Sequence, residues 1–263
     1  MTEQELLQAA SAVGCEAGVC PFSAVADSLL PCRAASRLPQ NAASVLVLLF
    51  PYRMQAQPPK NFSRYAAVND YHTAAGAVLT RAAEALRLQD PDGVYEPFID
   101  NSPIPEVQAA VAAGLGVRGD NGLLISDRFG SFVFIGCIVT DREVGAVAAK
   151  RRGCLHCGAC RKACPTARLT DGGECLSAIT QRKGELTDRE TAVMRHVGTA
   201  WGCDLCQEVC PLNRTAVSAP HPCFTVYEDA LTEASAESLD GKAYGWRGKG
   251  VLQRNLRLLK NSE

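Results

Sequence analysis

Apolar residues recur with two different periods along the first half of the chain. They stand at helical spacing in residues 2–13 and 65–88, whereas residues 44–50 and 94–99 form short runs of mostly β-branched or aliphatic side chains. The first pattern predicts amphipathic helices and the second predicts buried strands. Because helices and strands alternate up to about Asp141, the first half is predicted to be α/β or α+β.

The same pattern predicts the elements that follow. Pro103 and Pro105 open a helix over residues 104–115, which glycines at its end terminate. Residues 123–126 and 131–140 predict the two arms of a β-hairpin. Further helices are predicted at residues 175–184 and 188–197, and two more between residues 225 and 260.

Composition changes this picture mainly through the cysteines. The chain has 263 residues, of which 47% are hydrophobic and 21% charged, and this composition predicts a packed fold. The net charge of −1 gives no indication of a general affinity for polyanions. Thirteen cysteines indicate either disulfides or metal binding. The N-terminus lacks the pattern of a signal peptide, and the longest apolar run, residues 45–50, is far too short to span a membrane. We therefore predict a cytoplasmic protein with metal-bound thiols and no membrane contact.

The segment 154–165 reads CLHCGACRKACP and carries the clearest chemical signal. Its spacing is typical of a loop in which three thiolates bind one 4Fe–4S cluster and the fourth binds a second cluster. Zinc is the alternative, since Cys-x-x-Cys pairs also form zinc knuckles, but zinc does not account for the fourth cysteine or for the proline. The cysteines are Cys154, Cys157, Cys160 and Cys164.

A second cysteine group supplies the remaining ligands. Cys203, Cys206 and Cys210 precede Pro211, but the position of an opening cysteine is taken by Ala200. Cys175 is the predicted substitute, and Cys223 is the alternative. In two-cluster ferredoxin folds the fourth cysteine of each motif serves the other cluster. The predicted ligands of cluster one are therefore Cys154, Cys157, Cys160 and Cys210, and those of cluster two are Cys164, Cys175, Cys203 and Cys206.

Motifs in both halves together resemble the epoxyqueuosine reductase family, cobalamin-dependent relatives of the reductive dehalogenases. In the second half, the similar segments are the two cysteine motifs and Cys175-Leu-Ser. In the first half, they are Tyr65-x4-Asp70-Tyr71-His72, residues 99–103 (IDNSP), and residues 113–121 (AGLGVRGDN) followed by Phe-Gly-Ser at 129–131. The similarity covers nearly the whole chain.

The resemblance implies a base-off cobalamin between the two halves, with one cluster close to the corrin. It implies that Asp100 is the proton donor, and we expect an apolar cleft to raise its pKa and keep it neutral. A helix N-cap is the alternative role for Asp100. Other candidate contacts to the cofactor are Ser63, Tyr65, Asp70, Tyr71, His72, Asn121, Ser131, Ser177 and Lys183.

The predicted architecture is α+β with three parts. An α/β cobalamin-binding and catalytic domain at residues 1–150 precedes a ferredoxin-like domain with two 4Fe–4S clusters at residues 151–223. A helical basic tail follows at residues 224–263. Residues 241–260 contain no acidic residue, and they predict either phosphate contacts or a solvated helix face. Their basic residues are Lys242, Arg247, Lys249, Arg254, Arg257 and Lys260.

The resemblance also implies a substrate and partners. The expected reaction is reduction of epoxyqueuosine to queuosine in the wobble position of a tRNA anticodon, by a monomer that takes electrons from an external low-potential donor. Full-length family members continue into a C-terminal helical-repeat domain that helps to hold tRNA, so we expect a short form. The alternatives are a cobalamin-dependent reductase of a small molecule, such as a halogenated compound, and a ferredoxin-like electron carrier.

Overall fold

The computed structural model describes residues 1–55, 61–145, 153–227 and 229–260. Within these ranges the helices are α1 Glu3–Ala12, α2 Tyr71–Gln89, α3 Glu106–Ala112, α4 Ala159–Ala163, α5 Arg168–Asp171, α6 Leu176–Gln181, α7 Asp188–Val197, α8 Leu205–Glu208 and α9 Lys249–Lys260. The strands are β1 Glu16–Pro21, β2 Ser44–Pro51, β3 Tyr95–Ile99, β4 Val117–Arg118, β5 Leu124–Ile125 and β6 Val133–Thr140.

A four-stranded sheet in the order β1-β2-β6-β3 organises the first half. Every pair of neighbouring strands in it is antiparallel. The antiparallel pairing decides between the two predicted classes, since an α/β fold needs parallel strands joined by crossover helices. The fold is therefore α+β, as predicted for the chain as a whole, and the more specific assignment of residues 1–150 as an α/β domain is corrected by the antiparallel sheet.

Strand β2 lies inside the sheet and is buried along its whole length. Leu46, Leu48 and Phe50 pack in one apolar cluster with residues of α1 and α2. The alternate residues of the strand, such as Val47 and Leu49, pack in a second cluster with α3. Since side chains alternate between the faces of a strand, helices on both faces of the sheet explain the unbroken apolar run of β2.

The predicted β-hairpin is wrong. Strand β6 uses both of its edges in the central sheet, against β2 and β3, so it is not available to pair with β5. Strand β5 pairs instead with β4. Among the described residues, the isolated bridge between Ser126 and Gly130 closes the turn that precedes the expected second arm.

Other differences concern element boundaries. The sequence does not predict β1, because EAGVCP lacks a clear apolar period. The helix expected at residues 65–88 is a short 3₁₀ turn, Arg64–Ala67, followed by α2. In place of two helices between residues 225 and 260, the described residues contain α9 and two 3₁₀ turns, Ala234–Ala236 and Gly245–Arg247.

The C-terminal segment packs against both halves of the chain. Trp201, which is fully buried, shares an apolar cluster with Phe62 from the first half and with Tyr244, Leu252 and Leu256. The buried Asn255 of α9 donates hydrogen bonds from Nδ2 to the carbonyl oxygens of Thr180 and Ala200, each at 2.7 Å. The segment therefore holds the cysteine-containing region against the sheet region.

The proposed boundary at residues 150 and 151 lies outside the described residues, as does the chain end at 261–263. Within the residues that are described, no helix has the length and apolar character needed to cross a bilayer.

Candidate active site

A cavity of about 790 Å³ lies between the sheet region and the cysteine-containing region, and we call it the central cavity. Its walls bring together eight of the residues predicted from the sequence to catalyse or to bind a cofactor, and Cys175, Cys203 and Cys206 lie on the same walls. The eight residues are Tyr65, Asp70, Tyr71, His72, Asp100, Asn121, Ser131 and Ser177.

His72 lies between two carboxylates at one end of the central cavity. Its Nδ1 is 2.7 Å from Oδ1 of Asp70, and its Nε2 is 2.7 Å from Oδ2 of Asp100. Asp70 is also the N-cap of α2, because its side chain accepts a hydrogen bond from the backbone N–H of His72. The helix start therefore orients the imidazole toward Asp100.

The expected elevation of the Asp100 pKa is wrong. The hydrogen bond from His72 holds the pKa of Asp100 below its ordinary value, and this effect outweighs desolvation, which acts in the opposite direction. The pKa of His72 is raised in turn, chiefly by its hydrogen bond to Asp100. Both shifts favour a protonated His72 beside an ionised Asp100.

Asp100 has an unusual backbone conformation. Its φ of 55° lies in the left-handed region, which costs energy for a residue other than glycine. Its backbone N–H donates to Oε1 of Glu106 at 2.8 Å, at the start of α3. The N-cap position of α3 is Pro105, so the alternative role of Asp100 as a helix cap is excluded. Its side chain is 54% exposed, against 34% for His72, which makes Asp100 the outer member of the pair.

Aromatic rings form another part of the cavity wall. Tyr71 stacks on His72 with ring centroids 4.2 Å apart, and on Phe134 with centroids 4.0 Å apart. Burial raises the pKa of Tyr71 above its ordinary range and that of Tyr65 to about 12, so both phenols stay neutral. The hydroxyl of Tyr65 accepts a hydrogen bond from Nε2 of Gln181 at 2.9 Å.

The four cysteines predicted to bind cluster one surround a single small cavity. Its walls include Cys154, Cys157, Cys160 and Cys210, together with Asn121 of the sheet region. The first three come from the loop before α4 and its first turn, and Cys210 comes from the end of the second motif. The crossed pairing that the spacing predicts is thus compatible with the positions of these residues.

The four cysteines predicted to bind cluster two are also neighbours. Burial raises the pKa of Cys203 to about 11, and the nearby thiols of Cys175 and Cys164 raise it further in the same direction. The pKa of Cys206 is raised to about 12 by burial and by Cys203 and Cys175. Thiols crowded in this way form thiolates readily only beside a cation, which fits a metal cluster. Cys223 lies elsewhere, packed in the apolar cluster that contains Cys15.

Ser131 and Asn121 have protein partners. The hydroxyl of Ser131 donates to Oε1 of Gln207 at 2.9 Å and accepts from Nδ2 of Asn213 at 2.8 Å. Oδ1 of Asn121 accepts the backbone N–H of Leu123 at 3.2 Å. Gln207 and Asn213 join the two halves through Ser131, and Gln207 also lines the central cavity. Sequence reasoning missed both, although they lie in or directly after the second cysteine motif.

Two predicted cofactor contacts lie outside the central cavity. Ser63 is 3% exposed and does not line it. Lys183 lines a separate cavity of about 570 Å³ beside α9. Sequence reasoning also missed Trp246, which is 55% exposed and lines the central cavity.

The basic residues 241–260 do not form one uniform surface. Lys249 and Lys260 form ion pairs with Glu237 and Glu233. Arg254 is 9% exposed, and its guanidinium donates hydrogen bonds to the carbonyl oxygens of Arg182 and Gly184. Arg254 therefore holds α9 against the segment that follows α6 and is not free to contact phosphate. The predicted phosphate contacts of residues 241–260 thus do not extend to Arg254.

Two family models match the chain. The 4Fe-4S double cluster binding domain matches residues 153–213, and the family described as epoxyqueuosine reductase QueG, DUF1730, matches residues 33–101. The first match contains all eight predicted cluster ligands. Fold and site thus define an iron–sulfur protein of the double-cluster class with a cofactor-sized cavity beside one cysteine group.

Relatives identify the family. The epoxyqueuosine reductase of Lactococcus garvieae is 32% identical over 231 residues, which cover 80% of this chain and 65% of that protein. That of Cyclobacterium marinum is 30% identical over 250 residues, which cover 86% of this chain and 78% of that protein. The chain belongs to the epoxyqueuosine reductase family. It spans just under two thirds of the length of the Lactococcus garvieae relative.

Solved structures share the fold. A structure of epoxyqueuosine reductase with an epoxyqueuosine-modified tRNA-Tyr stem loop superposes with a TM-score of 0.80 at 22% identity. The match covers 97% of this chain and 80% of that one. The sheet region, the cysteine-containing region and the C-terminal segment thus follow one known architecture.

Proposed function

We propose that this protein reduces epoxyqueuosine to queuosine in a tRNA anticodon, with two 4Fe–4S clusters and a cobalamin as cofactors. The observation that carries the proposal is the central cavity, where Asp100 and His72 lie on the same walls as Cys175, Cys203 and Cys206. The relatives named as epoxyqueuosine reductases, and the related structure with a modified tRNA stem loop, support the choice of substrate.

The residues of the central cavity fit a corrinoid. The cavity volume of about 790 Å³ lies in the range of cofactor sites, roughly 300–1,000 Å³. Among the described residues that line it, His72 carries the only imidazole, and both of its nitrogens are bound to carboxylates. Both ring nitrogens of His72 are therefore occupied by carboxylates, which leaves this imidazole to hold and move a proton beside a bound corrinoid. Bound there, cobalamin would supply strongly nucleophilic, one-electron-reducible cobalt chemistry.

The protein contributes proton delivery and exclusion of water. Conversion of an epoxide to an alkene consumes two electrons and two protons and releases one water molecule. Asp100, the more exposed member of its pair, can pass a proton into the cavity, and His72 can replace that proton through the 2.7 Å hydrogen bond. Asp70 holds the imidazole in place through Nδ1. Tyr71 and Phe134 cover this end of the cavity with apolar surface.

Electrons would come from an external low-potential donor and enter at cluster one. Cys157 is exposed, and the neighbouring Leu155 is 56% exposed, whereas three of the four cysteines of cluster two, Cys175, Cys203 and Cys206, line the central cavity. Exposed basic residues of α4, Arg161 and Lys162, lie on the same segment. We further propose that the protein works as a monomer in the reducing cytoplasm, where thiols remain available for iron.

Anaerobic titration with cob(II)alamin tests the cofactor assignment. We expect one equivalent to bind to the reconstituted protein and to give a base-off signal in electron paramagnetic resonance. Ser177→Trp, which fills the central cavity, should abolish binding, whereas Thr215→Trp on an exposed turn should not. Intact clusters without cobalt binding would contradict the proposal and favour the electron carrier.

The His72–Asp100 pair predicts the pH dependence of turnover. His72 must be protonated to resupply Asp100, and its pKa is raised above the ordinary value of about 6.5. The single-turnover rate should therefore be constant at low pH and fall as the pH rises through the raised pKa of His72. His72→Gln should be slow and lack this fall between about pH 6 and pH 9. An identical pH profile in the variant would exclude His72 from proton delivery.

A further inference from the structure

The second cavity, of about 570 Å³, carries an excess of positive charge, and we call it the basic cavity. Four cationic side chains line it against one carboxylate, that of Glu185. Arg254 is occupied by backbone carbonyls, which leaves the other three to meet a ligand. The lining cations are Lys183, Arg247, Arg254 and Arg257.

One short turn connects the basic cavity to the central cavity. In the 3₁₀ turn Gly245–Arg247, Trp246 lines the central cavity and the next residue, Arg247, lines the basic cavity. The guanidinium of Arg247 lies 3.8 Å from the centroid of the Trp246 ring. Within the part of the chain that is described, Nε of Arg247 is buried and has no hydrogen-bond partner. A ligand at this turn would therefore find an aromatic ring beside a guanidinium whose Nε has no partner.

The exposure of Trp246 needs an explanation. Its side chain is 55% exposed, whereas the only other tryptophan, Trp201, is fully buried in the apolar cluster under α9. An exposed tryptophan beside arginine is typical of surfaces that stack an unpaired base and hold its phosphate. The cationic side chains of Lys183 and Arg257 line the same cavity as Arg247.

We propose that Trp246 and the basic cavity bind a nucleotide next to the reacting one in the RNA substrate. The unpaired base stacks on Trp246, and its phosphate lies against Arg247 and Lys183. The inference rests on the proposed function, since it assumes that the reacting nucleotide occupies the central cavity. The nucleotide tail of a corrinoid carries the same chemistry, a phosphodiester with an aromatic base, and is the competing source.

Tryptophan fluorescence gives a direct test, because Trp246 is the only tryptophan that solvent reaches. An anticodon stem-loop RNA should quench the emission of the cofactor-loaded protein, and Trp246→Phe should remove most of that quenching. Trp246→Ala should weaken RNA binding about tenfold, in keeping with the loss of one stacked base. A fully paired RNA duplex should bind wild type and Trp246→Ala equally.

The charged residues are tested by salt dependence. Arg247→Ala and Lys183→Ala should each weaken RNA binding and reduce the slope of log affinity against log salt by about 0.7. Lys249→Ala is the matched control, because this exposed lysine of α9 is paired with Glu237 and should leave both quantities unchanged.

Four outcomes separate the possibilities. Variants that lose RNA affinity but keep cob(II)alamin affinity support the nucleotide site. Variants that lose cob(II)alamin affinity instead overturn it and assign the cavity to the corrinoid tail. If the variants bind and convert modified RNA as well as wild type does, the nucleotide site is wrong and the proposed function stands. If wild type binds RNA through Trp246 but never converts it, the nucleotide site stands and the proposed function is wrong.

Discussion

Asp100→Asn is expected to lower turnover by at least about 100-fold, while the iron content and the cobalamin affinity remain those of wild type. Asparagine has the size of aspartate, and its Oδ1 can still accept the hydrogen bond from Nε2 of His72. What it cannot do is receive a proton from His72 and release it into the central cavity. The loss should therefore appear in the rate constant and not in substrate binding.

Two companion variants show whether this loss is specific. Asp92→Asn alters an exposed carboxyl outside the central cavity and should leave turnover unchanged. Glu106→Gln keeps an oxygen that can accept the backbone N–H of Asp100, so it should be much milder than Asp100→Asn. Undiminished turnover of Asp100→Asn would remove Asp100 from the mechanism.

Substitution of the crossed cysteines is expected to have the second large effect. Wild type should bind about eight iron atoms per chain, and Cys210→Ala should bind about four, because one complete cluster is lost. The cluster that disappears should be cluster one, although Cys210 lies in the second motif. Its position beside Cys154, Cys157 and Cys160 is the basis for this expectation.

Double variants reveal which cysteines share a cluster. Cys154→Ala combined with Cys210→Ala should lose no more iron than either single variant, whereas Cys203→Ala combined with Cys210→Ala should lose nearly all of it. Cys175→Ala should lose one cluster, and Cys223→Ala, its matched control, should lose none. Iron analysis and electron paramagnetic resonance measure these losses. Full iron content in Cys175→Ala would contradict the assignment of cluster two.

The sequence correctly predicted the cysteine motifs, α1 and β2, because each depends on residues that are close together in the chain. The cysteine motifs bring their thiols together within one loop, so their spacing alone indicates the chemistry. Apolar residues at helical spacing indicate α1, and β2 is apolar because both of its faces are covered. These signals need no knowledge of distant partners.

Features that depend on distant partners were missed or mistaken. Strand β6 was expected in a hairpin, but β2 and β3 occupy both of its edges. The pKa of Asp100 was expected to rise, but His72, 28 residues away in sequence, lowers it. Gln207 and Trp246 reach the central cavity from segments that carry no motif for such a role. In each case the strand pairing, the pKa or the position in the cavity depends on residues that are distant in sequence and meet only in the folded protein.

The most direct test of the proposed function is the mass of the nucleoside after a single turnover. Reconstituted, cobalamin-loaded protein would be mixed anaerobically with a reductant and an anticodon stem-loop RNA that contains epoxyqueuosine, and the RNA would then be digested. We expect loss of one oxygen atom from the modified nucleoside in wild type and retention of that oxygen in Asp100→Asn. An unchanged nucleoside with wild-type protein that holds both clusters and cobalamin would show that the proposed function is wrong.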